Sequence, residues 1–92
     1  MPGWVRKDDV NDAGAPVIGD YATTVFVNGK NAALKNSIVQ GHSPGGVHAS
    51  PVVAEGSSTV IVEGRLAAFK GASDNCGHTR VEASDDTFIP GG

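Results

Sequence analysis

The sequence predicts an all-β fold built from short hairpins. Three observations carry that prediction. A segment repeats within the chain, each copy reads as strand, turn and strand, and helical periodicity is almost absent. Residues 24–35 read TVFVNGKNAALK and residues 59–70 read TVIVEGRLAAFK, an offset of 35. Seven of these twelve positions are identical, Gly29/Gly64 and the Ala32-Ala33/Ala67-Ala68 pairs among them. A shorter third copy closes the chain, where Thr87-Phe88-Ile89-Pro90-Gly91-Gly92 aligns with Thr59-Val60-Ile61-Val62-Glu63-Gly64. The organisation read from this is one domain over residues 1–92. It has copies at about 19–42 and 55–78 and a partial third over 84–92.

Within the first copy, Thr23 to Val27 is β-branched and aromatic, which suits a pleated strand. Asn28-Gly29 follows, a dipeptide that tolerates positive φ at both positions and fits a type I′ turn. Lys30 to Leu34 then returns as the partner strand. The second copy has Glu63-Gly64 at the turn, and Glu, a poorer first turn residue, predicts a looser one. Ala32-Ala33-Leu34 and Leu66-Ala67-Ala68-Phe69 have helical propensity but are too short for a stable helix, so they read as strand ends or bends. Between the copies lies Gln40 to Ala54, rich in Gly, Ser and Pro, and after the second copy comes the polar stretch Gly71 to His78.

Composition narrows the function. With 92 residues, 39% apolar and 5% aromatic, the core is thin. A domain of this size buries only roughly 60% of its unfolded surface and ordinarily needs a staple. Cys76 is the sole cysteine, so an internal disulfide is excluded and a metal, an oligomer or a partner surface must serve. The net charge of −3 lacks the basic stripe that nucleic acid demands. No apolar run approaches a membrane span, and the start Met1-Pro2-Gly3-Trp4-Val5-Arg6 lacks the apolar core of a signal peptide. The expectation is a soluble chain that leaves the cytoplasm by another route.

All three histidines and the cysteine fall in the two loops between copies: His42 and His48 in the first, Cys76 and His78 in the second. Gly41-His42 and Gly77-His78 differ by one position in the repeat frame, so they are expected at equivalent corners. Three imidazoles and one thiolate form a complete tetrahedral set for Zn²⁺. Zinc binding in small domains supplies folding free energy of about 10 kcal/mol or more. Iron fits the same spacing, although a closed histidine–thiolate tetrahedron favours zinc. The same residues permit a second reading, a small metal- or thiol-dependent hydrolase. There Cys76 is the nucleophile, a histidine is the base, and Asp74 or Asp85 orients it. Against it stand the small room for a cleft and the lack of a helix N-terminus to activate the thiol. A third reading is a solenoid segment of a tail fibre or adhesin.

The chain resembles the PAAR-repeat proteins, the spike tips of type VI secretion systems and contractile phage tails. Arg6-Lys7-Asp8-Asp9 is similar to the family's opening R-x-G-D, with Asp8 where glycine is usual. Thr24–Gly29 and Thr59–Gly64 resemble its repeated strands, and the two Ala-Ala pairs stand at the Pro-Ala-Ala-Arg motif without its first Pro and final Arg. Ala13-Gly14-Ala15 replaces an early histidine, and residues 84–92 resemble the closing segment. The resemblance implies a small cone of short β-hairpins in quasi-threefold repeat, with one structural zinc near the apex held by His42, His48, Cys76 and His78. It implies a mechanical role without catalysis, capping and sharpening a trimeric β-helical spike that pierces an envelope. It further implies a monomer that adds one copy per trimer, non-covalent cargo in place of a fused toxin domain, and transient contact with the target membrane.

Overall fold

The computed structural model describes residues 1–42 and 49–91. Six short strands form among them, and no helix. They are β1 (Val17–Gly19), β2 (Phe26–Val27), β3 (Lys30–Asn31), β4 (Ile38–Val39), β5 (Ile61–Val62) and β6 (Arg65–Leu66). β2 pairs with β3, β5 with β6, and β1 with β4, all antiparallel. The two hairpins share one register: Phe26 faces Asn31 as Ile61 faces Leu66.

The turns are also the same. Asn28 and Gly29 take φ of 54° and 79°, and Glu63 and Gly64 take 53° and 79°. The second turn is therefore no looser than the first. Glutamate in the left-handed region is costly, but the Glu63 carboxylate accepts hydrogen bonds from the Thr23 and Thr24 amides and the Thr24 hydroxyl. Asn28 makes the corresponding tie to the next copy. It donates to Asp86 (2.8 Å) and accepts from the Ser84 hydroxyl (2.6 Å).

The predicted return strands end sooner than expected, because after Asn31 and Leu66 the chain pairs with a neighbouring copy and leaves its own hairpin. Leu34 bridges Ala67, Arg6 bridges Ala32, and Trp4 bridges Phe69. The backbone amides close the circle. Val5 N–H donates to Ala68 O (3.0 Å), Ala68 N–H to Ala33 O (3.0 Å), and Ala33 N–H to Val5 O (2.9 Å). An outer ring repeats the pattern, from Lys7 to Asn31, Lys35 to Leu66 and Lys70 to Gly3. Each residue stands 35 positions or a chain end away from its counterpart, so the three segments wind round a quasi-threefold axis.

The third segment at the axis is the N-terminus. Trp4 N–H donates to Thr87 O as Ala32 N–H does to Val25 O and Ala67 N–H to Val60 O. Residues 84–89 thus supply one half of the third copy and residues 2–7 the other. These bonds equate Thr87 with Val60, one residue later than the sequence alignment. The exposed-then-buried alternation agrees, with Phe26, Ile61 and Phe88 outward. Identity at Thr87 and Thr59 misled the alignment, whereas burial sets the true register.

The Ala-Ala pairs lie at the axis. Ala32, Ala33, Ala67 and Ala68 are fully buried where three backbones converge, and the third segment places Trp4 and Val5 at the equivalent positions. Val5, Ala33 and Ala68 join Ala15, Val17, Val39 and Val53 in one core cluster. Beyond the axis each segment kinks through a positive φ, at Asp8 (74°), Asn36 (75°) and Gly71 (100°). This accounts for Asp8 at a position where glycine is usual, since Asp tolerates the left-handed region better than most residues. Three loops follow, closed by the pairs Val10–Pro16, Ile38–Val52 and Ser73–Thr79.

Candidate metal centre

The three loops converge. Gln40 N–H bonds Pro16 O, Asp12 N–H bonds Thr79 O and Asn75 N–H bonds Val52 O, so each loop leans on the next. His42 comes from the second loop, and Cys76 and His78 from the third. The ligand atoms of these three residues all lie within 4.8 Å of one another, and each side chain is half-buried. The Cys76 Sγ to His42 Nε2 distance is 3.8 Å. The His42 and His78 rings meet edge to face with centroids 4.9 Å apart.

That geometry fits a tetrahedral ion. With Zn–S of about 2.3 Å and Zn–N of about 2.0–2.1 Å, a sulfur–nitrogen edge of the tetrahedron is about 3.6 Å. Two nitrogens and one sulfur at this spacing are a borderline-soft donor set, suited to zinc better than to calcium or magnesium. His48, the remaining sequence-predicted ligand, lies outside the described residues. Cys76 stands on a tight turn, where Gly77 N–H bonds Asp74 O and Asp74 N–H bonds His78 O (2.7 Å), so sulfur and imidazole emerge from one short loop.

The carboxylates behind the cluster differ from those the sequence suggested. Asp85 lies in the 84–87 segment that ties to the first hairpin turn, and Asp74 is turned inward. There Asp74 accepts from the Asn11 amide (2.8 Å) and pairs with the fully buried Arg80 (3.2 Å). Burial raises the Asp74 carboxyl against the pull of Asn11 and Arg80. Burial likewise lowers the Arg80 guanidinium against the support of Asp74 and Asp9. Arg80 also donates to Ala15 O (2.8 Å) and Asp9 O (3.3 Å), so it spans from the third loop to the first. The Arg80 Nε and Asp74 Oδ1 atoms make no hydrogen bond among the described residues. The carboxylate that does reach the cluster is Asp12, whose Oδ1 lies 2.7 Å from His78 Nδ1. Asp12 escaped sequence reasoning because it lies 66 residues from His78 and no local motif contains it.

A threefold-wound β-domain with a histidine–cysteine cluster where its loops meet is the class that fold and site define. Residues 7–82 match the PAAR motif family, and the chain belongs to that family. PAAR-motif proteins are associated with the spike tips of contractile injection systems and are structural components of the spike. No curated protein matches the chain.

Proposed function

We propose that this protein caps and sharpens a trimeric β-helical spike, as one PAAR-like domain over residues 1–92. The observation that carries the reading is the closed threefold winding together with its exposed apolar triad. Phe26, Ile61 and Phe88 occupy equivalent positions in the three copies and are 57%, 64% and 52% exposed. A true threefold partner presents three identical sites, and a quasi-threefold monomer meets them with three similar side chains. Strand edges left open in the hairpins gain partners in the same contact.

The metal reading belongs to this proposal. His42, Cys76 and His78, with His48 as fourth ligand, hold one structural Zn²⁺ where the loops meet. Bound there, the ion cross-links the second loop to the third and raises resistance to unfolding under load, which is set by the unfolding rate. The protein acts at the tip of a phage tail or secretion spike.

Mixing the protein with a trimeric β-helical spike and measuring mass by light scattering tests the reading. One copy per trimer is expected, with Phe26→Ser and Ile61→Ser weakening the complex while leaving the melting temperature nearly unchanged. One copy per spike chain contradicts the tip geometry. Metal analysis of the purified protein should return one zinc per chain.

A further inference from the structure

We propose that Asp12 is a positioning residue for the metal centre, through which the one loop lacking a ligand of its own is joined to the ion. The inference rests on the metal reading above and goes beyond it. Each of the other two loops contributes a ligand, His42 from one and Cys76 with His78 from the other. The first loop reads Asp12-Ala13-Gly14-Ala15, with neither histidine nor cysteine. It nevertheless reaches the cluster, because Asp12 Oδ1 lies 2.7 Å from His78 Nδ1. The contact is held at two further points: Asp12 N–H donates to Thr79 O (2.9 Å), and Thr79 N–H donates to Asp12 Oδ1 (3.3 Å). The carboxylate is thus held by the backbone of Thr79, next to His78, and it does not depend on a chance rotamer.

The chemistry follows from the two nitrogens of imidazole. A histidine that binds a metal in its neutral form offers the lone pair of one nitrogen and keeps a proton on the other. With Nδ1–H donating to Asp12, Nε2 is the nitrogen that coordinates, and the ring plane is set. The carboxylate also makes the ring a stronger donor. The quasi-threefold frame makes this arrangement specific to one corner. Backbone bonds equate Asp12 with Gln40 and Asn75. The Asn75 side chain instead accepts from the Val52 amide (3.1 Å). Of the three equivalent positions, only the one facing His78 carries a carboxylate.

Asp12→Ala and Asp12→Asn, compared with the unmodified protein, test the proposal by three readouts. These are zinc affinity by competition with a chromogenic chelator, zinc release to excess EDTA, and the melting temperature of the metal-free proteins. Asp12→Ala should bind zinc about 10–100-fold more weakly and release it correspondingly faster. Its metal-free melting temperature should fall only slightly, through loss of the Thr79 N–H contact, and by too little to account for the drop in zinc affinity. Asp12→Asn keeps an acceptor oxygen and should recover most of the affinity. The Co²⁺-substituted Asp12→Ala protein should retain its thiolate-to-metal absorption band, because no ligand has been removed. Unchanged zinc affinity in Asp12→Ala overturns the proposal. So does a fall in metal-free melting temperature that accounts for the whole loss, since Asp12 would then be only a structural tie. Failure of the unmodified chain to bind zinc would overturn the metal reading itself, and with it this inference.

Discussion

The two ends of each repeat obey the threefold pattern to different degrees. At the hairpin turns the copies are near duplicates. Turn angles agree within 1° between Asn28-Gly29 and Glu63-Gly64, and the outward residues are all large and apolar. At the loops the backbone hydrogen bonds still repeat, but the side chains diverge. Where two corners place Val17 and Val53 in the core, the third places Arg80. Where one places Val39, the others place Asn11 and Asp74. The backbone alone maintains the symmetry, so side chains at the loop end are released to build an asymmetric site. At the turn end the side chains keep the pattern.

Breaking the asymmetric end should have the largest consequence. Arg80→Ala leaves Asp74 charged and buried with only Asn11 to satisfy it. The loss is about 3–5 kcal/mol, against a total of about 5–15 kcal/mol for a folded domain. Thermal unfolding by circular dichroism should show a large part of the stability gone, with or without metal. Restoring the pattern of the other corners sharpens the comparison. Asp74→Val with Arg80→Val reproduces the valines at Val39 and Val53, and it should be more stable than Arg80→Ala alone. A double variant as unstable as the single would show that the Arg80 bonds to Ala15 and Asp9 carry the corner, and the ion pair does not.

Removing the proposed metal acts on the same end but has a separate signature. Cys76→Ser or His78→Ala should release zinc and lower the melting temperature of the metal-loaded protein by several degrees or more, at about 4–8 °C per kcal/mol. In excess chelator, variant and unmodified protein should converge. An unchanged melting temperature after metal loss would mean that Arg80 and the axial hydrogen bonds suffice for folding.

The turn end should yield the smallest effect, visible chiefly in pH. The Thr24 hydroxyl and the Thr24 and Thr23 amides hold the Glu63 carboxyl below its ordinary range. Hydrogen bonds from Asn28, Ser84 and Thr87 do the same for Asp86. A lowered folded-state value means that the contribution to stability is complete above the ordinary carboxylate range near about 4 and is lost as pH falls through the folded value. Glu63→Gln should therefore be slightly less stable at neutral pH and lose less on acidification. Parallel acid limbs for the two proteins would show that the Glu63 ties do not contribute.

Hairpins, turns and the offset of 35 were all legible in the chain, because strand propensity and Asn-Gly chemistry act over a few residues. The cysteine and histidines were equally plain as a donor set, since their residue types are rare here and all four fall in two loops. His42, Cys76 and His78 do meet, while Asp12 and the Arg80–Asp74 pair went unread. Asp12 is separated from His78 by 66 residues. Asp74 and Arg80 share one short loop, but what turns them inward is Asn11, Asp9 and Ala15 of the distant first loop, and no short window of sequence encodes such contacts.

By itself the sequence determined the local geometry: where strands bend back, and which residue types offer donor atoms to an ion. Tertiary structure alone decided that residues 2–7 complete the third copy, that Thr87 matches Val60, and that a carboxylate stands behind His78. The physical reason is that backbone hydrogen bonds between copies close only once all three segments have come round the same axis.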